Sequence, residues 1–287
     1  MSTYHLTFSI YYNKKEWHKL INEIHTLVKD DKRIFNYFLN LSTFRGGHVE
    51  FTIEVGKKHS KTCVKHFSGC IEKFLETTPS SNKSLDTIND VFFLDFPNNT
   101  IHYGVHDYVP IFRANNQPFE SIADINHQIT GLIITIFQDF GEETVGMTIE
   151  IAIQIMALFC LISEKELGSA ITFFNTLLQK EFKKHKTEYV EDAQKLGLIN
   201  FNDNRNEILG YLEDTMLKKV GSQKEAWEIE WESLVSKSRF QNKTSENQDL
   251  IYELLIDAIF NKLDIRNKGE TYLIFLAALN TLENSKR

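Results

Sequence analysis

Residues Leu39 to Val55, LNLSTFRGGHVEFTIEV, decide how this chain folds. Beyond Gly46 and Gly47, the apolar residues Val49, Phe51, Ile53 and Val55 alternate with His48, Glu50, Thr52 and Glu54. Alternation of period two predicts a strand with one face in a core and the other toward water. The two glycines let backbone approach another group closely, and Arg45 and His48 beside them supply a guanidinium and an imidazole that can hold an anionic or carbonyl group. The segment reads either as the mouth of a site or as a plain hairpin turn with solvated Arg and His.

Outward from this strand, Tyr4 to Tyr12 alternates as a second strand, and Phe35 to Leu41 pairs with His48 to Val55. Lys15 to Val28 carries Trp17, Leu20, Ile21, Ile24 and Leu27 at helical spacing. Lys58 to Leu75 is a helix whose apolar stripe is Cys63, Phe67, Cys70 and Phe74, which makes both cysteines core filler. Strands are expected at Val91 to Phe96 and Ile101 to Tyr108. Further along, Ser163 with Glu166, Ser222 with Glu225 and Ser245 with Gln248 have capping-box spacing and predict helix starts, while Gly197 and Gly210 predict helix ends. Met147 to Ile162 reads as a buried helix, and Asn247 to Lys262 and Glu270 to Leu282 as the last two. The expected class is α+β: a mainly antiparallel sheet with helices over 1–118 and a helical part over 119–287, sharing an interface.

With 287 residues, 42% of them hydrophobic, the chain can bury a substantial core. A net charge of -7 argues against a nucleic-acid binder that relies on its whole surface, so no direct nucleic-acid partner is expected. The run Lys57, Lys58, His59, Lys61, Lys65, His66 is a local exception, read as a solvated helix face or as a hold for an acidic peptide or RNA phosphates. Three cysteines without Cys-x-x-Cys spacing fit a reducing compartment, and with no export signal or membrane span in the pattern the expected location is cytoplasmic. His102 and His106 on one strand would lie on the order of 13 Å apart, too far to share an ion without a bend at Gly104. Trp227 and Trp231 form a packing stripe with an acidic exterior. No GxSxG, Walker, GxGxxG or HExxH pattern is present, which removes the usual support for a hydrolase, an NTPase or a nucleotide-cofactor oxidoreductase.

Four segments resemble one family, the C-terminal elimination domain of lantibiotic dehydratases, also found alone as the thiopeptide-type bacteriocin biosynthesis protein. YHLTFSIYY is similar to the family's opening strand. FLNLSTFRGGHVEFTI lies along a family segment of the form FFIRYSDPxPHLRLRF with His48 on its histidine, DYVPIFRANN places Arg113 near a family arginine, and LIYELLIDAIF resembles a late family helix. The resemblance implies action on a ribosomally made precursor peptide, leader and core, beside a glutamyl-tRNA-dependent partner enzyme. The reaction implied is β-elimination of glutamate from glutamylated Ser or Thr, with neither metal nor organic cofactor; relatives on the same scaffold form the pyridine ring of thiopeptides.

The chain departs from the elimination pattern where cations are expected. The family arginine falls on Leu41 or Ser42, basic strand residues become Glu50 and Thr52, and the late histidine becomes Glu253. A departing carboxylate would be repelled by Glu50 or Glu253. The expected site is therefore Arg45 and Arg113 as holders of carboxylate or carbonyl oxygen, with His48 or Glu253 moving the proton and Asp257 one turn beyond Glu253. The alternatives are a non-catalytic relative that binds the precursor or a partner enzyme, and a pyridine-forming cyclase.

Overall fold

Antiparallel pairing sets Tyr11 opposite His48, Ser9 opposite Glu50 and Phe8 opposite Phe51, so the alternation of one strand is matched by that of its neighbour. A computed structural model describes residues 3–43, 45–81, 96–106, 122–145, 147–163, 165–217, 224–240 and 245–285. It divides into two units, residues 1–146 with 261–264, and residues 147–260 with 265–287.

The first unit is built on a four-stranded antiparallel sheet in the order β2-β3-β1-β4, with β1 Thr3–Tyr11, β2 Ile34–Ser42, β3 His48–Gly56 and β4 Thr100–His106. Leu6, Phe8, Ile10, Val49, Phe51, Ile53 and Val55 are all buried. Phe67 of α2 (Ser60–Thr77) packs its ring 6.2 Å from Phe8 and 5.8 Å from Phe51, which places α2 against this apolar face. Helix α1 (Trp17–Val28) buries Trp17, Leu20, Ile21, Ile24 and Val28, the 3.6-residue stripe expected of a helix on a core.

Two expectations for this unit change. The buried stripe of α2 is Cys63, Phe67, Ile71 and Leu75, in steps of one turn plus a fraction, leaving Cys70 half-buried with its sulfur 3.9 Å from His66 Nδ1. The polar face of β3 is also drier than alternation alone predicts. His48 and Thr52 are only 5% and 4% exposed, because the Tyr11 ring lies 4.8 Å from His48 and the Thr7 hydroxyl meets that of Thr52 at 2.8 Å.

An edge strand leaves every second peptide group unpaired, and β2 satisfies these with side chains. Helix α3 (Ile122–Phe140) places His127 Nδ1 3.3 Å from the Tyr37 carbonyl and the Thr130 hydroxyl 3.3 Å from the Leu39 N–H that donates to it. Lys262 Nζ donates to the Leu39 carbonyl at 2.7 Å and to Asn40 Oδ1 at 3.1 Å. This ammonium is 1% exposed, and burial pushes its pKa down to about 7.

The second unit is helical: α4 Thr148–Ile162, α5 Leu167–Phe182, α6 Thr187–Asp203, α7 Arg205–Leu217, α8 Ala226–Phe240, α9 Ser245–Lys262 and α10 Lys268–Ser285, with the last two residues of α9 counted in the first unit. Helix α4 is apolar on nearly all sides and packs against α7, α8 and α10. Trp231 is fully buried with its indole N–H on the Ile155 carbonyl at 3.0 Å, and Trp227 is 2% exposed. No helix among the described residues is long and apolar enough to cross a membrane.

Here too the local signals shift. Ser163 ends α4 instead of opening α5: its N–H returns to the Phe159 carbonyl at 2.9 Å, and α5 begins after Glu166 without a side-chain cap. Ser222, the expected capping serine before α8, lies outside the described residues; within them the Glu225 N–H donates to Glu228 at 2.9 Å. Gly197 and Gly210 lie inside α6 and α7. Gly197 is there because α10 comes too close for a side chain: a Cβ would lie 2.9 Å from Leu273 Cβ.

Gly197→Ala lowers stability by about 1–3 kcal/mol through overpacking, while Gly210→Ala, where an added Cβ meets nothing within 4 Å, raises it by about 0.5–1 kcal/mol; chemical denaturation of the two variants reads the opposite signs. For Lys262 the folded pKa lies below the unfolded one, so between about pH 7 and pH 10 the unfolded state keeps a proton that the folded state sheds, and stability rises with pH by up to a few kcal/mol. Below pH 7 this contribution is flat. Urea midpoints across pH 6–10 show that rise in the native protein and lack it in Lys262→Met; parallel curves contradict the assignment.

Candidate functional site

The polar face of the sheet gathers its chemistry at one end, where β1 finishes and β3 begins. Arg45 has φ 57° and Gly46 φ 105°, two successive left-handed residues that turn the chain sharply between β2 and β3. Gly47 accepts from the Tyr12 N–H through its carbonyl at 3.0 Å, so the turn is fastened to the end of β1. The Phe96 N–H donates to the Arg45 carbonyl at 2.9 Å, and the Asn99 N–H to the Tyr11 carbonyl at 2.8 Å. Asn99 is itself locked to Ser80, receiving its N–H at 2.8 Å and donating to its carbonyl at 3.1 Å.

These backbone ties bring side chains from four segments together. The Arg45 guanidinium lies over the Phe96 ring, 4.5 Å from its centroid. Phe96 packs against Tyr11 at 4.7 Å and His102 at 4.8 Å, and Tyr11 meets His102 edge-on at 5.7 Å. His48 Nδ1 is 2.9 Å from the Gly46 carbonyl, an acceptor only, so Nδ1 carries the hydrogen. In the neutral ring that leaves Nε2 as the basic nitrogen, 3.8 Å from Glu50 Oε1. Burial raises the Tyr11 phenol above its ordinary pKa, against a lowering by Arg45 and with a further rise from Glu50.

The arrangement offers a base with a fixed tautomer, a carboxylate able to steady the imidazolium that forms, a stacked guanidinium and a phenol, all at one sheet end. Arg45 and His48, both expected from sequence, lie here. Arg113 lies outside the described residues. Glu253 is on α9 in the second unit, ion-paired with Lys180, and lines a cavity of about 600 Å³ between α5 and α9 floored by Phe173 and Leu177. Asp257 pairs with Lys268. Tyr11 and Phe96 were not singled out in the sequence; only the pairing of β1 with β3 and the return of the chain before β4 reveal them. Among the described residues, no group of three His, Cys, Asp or Glu side chains is placed to hold a metal ion.

No protein-family model matches the sequence, and no curated protein matches it. Among solved structures, a pyridine synthase, TbtD, from thiomuracin biosynthesis is similar with a TM-score of 0.67 at 13% identity, over 96% of each chain. The tRNA-dependent lantibiotic dehydratase MibB from Microbispora sp. 107891 is similar with a TM-score of 0.50 at 12% identity, over 99% of this chain and 28% of that one. At these identities the likeness establishes a shared fold.

The electrostatics of Tyr11 give a direct check. Arg45→Ala raises the Tyr11 pKa further, because the cation that favours phenolate is gone, and Glu50→Gln lowers it. A titration of ¹³Cζ-labelled tyrosine by NMR reads both; shifts in the reverse order contradict the described cluster.

Proposed function

We propose that the protein modifies a ribosomally made precursor peptide by elimination at a glutamylated Ser or Thr residue, on the polar face where Arg45, His48 and Tyr11 meet. The observation that carries this reading is the His48 ring, anchored through Nδ1 on the Gly46 carbonyl with Nε2 as the base. In the step, His48 takes the Cα proton, the electron pair forms the Cα–Cβ double bond, and the Cβ–O bond breaks to release glutamate as a carboxylate. Arg45, and Arg113 by the sequence resemblance, hold that carboxylate; Glu253, the other proton carrier expected from sequence, is already engaged by Lys180, so the proton falls to His48.

A second reading has its own support. Glu50, 3.8 Å from His48, opposes a departing carboxylate, and the pyridine synthase fold is matched along nearly the whole length of both chains. In that reading the same face joins two dehydroalanines into a ring, with His48 and Tyr11 moving protons. A non-catalytic precursor-binding role is the third.

Mass spectrometry after mixing the protein with a glutamylated peptide separates them. Loss of glutamate with appearance of dehydroamino acid is expected, reduced roughly 10²–10⁴-fold in His48→Ala and less in Arg45→Ala. An unchanged glutamylated peptide together with cyclisation of a bis-dehydroalanine peptide selects the second reading. No change in either peptide leaves only binding.

A further inference from the structure

Away from this face, the opposite end of β3 leads through Gly56 into a 3₁₀ turn, Lys57–His59, and then α2. Lys57, Lys58, Lys61 and Lys65 are all exposed, and among the described residues none of them forms an ion pair. Lys57, Lys58 and Lys61 do not stabilise the helix: cations at a helix N-terminus are opposed by its dipole, and the first turn of α2 holds no acidic residue. Asp31, whose field reaches His66, is already bound by Arg33.

A second feature adjoins this charge. The register of β2 on β3 slips between Ile34 and Asn36, so Phe35 is an extra residue in a bulge, and its ring is turned outward to 52% exposure. That ring reaches Gly56, from which an added Cβ would lie 3.8 Å from both Phe35 Cε2 and His59 Cδ2. Lys57 sits 5.5 Å from the Tyr4 ring centroid. An outward aromatic thus borders a stripe of unpaired lysines.

We propose that Phe35 and Lys57, Lys58, Lys61 and Lys65 form a docking surface for an acidic segment of the peptide substrate, with one apolar side chain seated on Phe35. This rests on the reading that the substrate is a peptide. Lys61 and Lys65, four residues apart on α2, are separated by a rise of about 6 Å, and alternate side chains of an extended strand repeat at about 6.6 Å, so carboxylates two positions apart meet this pair. The stripe spans about 12 Å on a protein of net charge -7, which favours a short segment of few charges over a long nucleic acid that the remaining surface repels. Lysine supplies point charges without the fixed fork that phosphate recognition favours.

The test is fluorescence anisotropy on the full chain with a labelled ten-residue peptide carrying Asp or Glu at alternate positions and one Leu. Binding is expected to weaken at least tenfold in Lys58→Glu/Lys61→Glu, partially in Lys58→Gln/Lys61→Gln and severalfold in Phe35→Ser, and to fall with added NaCl. Equal binding by the native and charge-reversed proteins overturns the proposal. So does a lysine-dependent oligothymidylate of equal charge that outcompetes the peptide. Lysine-dependent peptide binding without processing keeps this surface and removes only the elimination reading, whereas processing without lysine-dependent binding does the reverse.

Discussion

The register between β1 and β3 is the constraint on which both core and candidate site depend. Tyr11 faces His48 and Phe8 faces Phe51 in the same ladder. A slip of one residue would exchange the faces of the strand, putting His48 and Glu50 into the apolar layer against α2 and Val49 and Phe51 outside it. The turn at Arg45 and Gly46 and the bond from the Tyr12 N–H to the Gly47 carbonyl set this pairing at its start. The same few residues therefore position His48 and align the core.

The edge of that sheet shows how much is invested in holding it. Three side chains, from His127, Thr130 and Lys262, occupy the peptide groups of β2 that a further strand would take. The lysine is the costly member, since burying its charge disfavours the protonated form. It closes the strand edge with a donor that reaches both a carbonyl and the Asn40 side chain.

Local alternation and helical spacing were enough to read β1, β2, β3, α1 and α4, because each of these elements shows its buried face within its own residues. They were enough to nominate Arg45 and His48 as well, since the paired glycines and the onset of β3 are local signals. What was not legible depends on distant partners. Tyr11 and Phe96 join His48 only through strand pairing and a backbone bond, and a lysine at the end of an apolar helix reads as solvated, although Lys262 contacts Leu39 223 positions away in sequence. The interior glycine of α6 read as a helix end because its reason, the approach of Leu273, lies on another helix.

The proposed chemistry takes place on the polar face where β1, β3 and β4 meet. Photocrosslinking with a precursor peptide that carries a diazirine at the reacting position tests it most directly, with attachment sites mapped by mass spectrometry. Adducts on the fragments containing Tyr11, Arg45 to Glu50 and Phe96 to His102 are the predicted result; adducts confined to the α5 and α9 cavity, with none on those fragments, would contradict it.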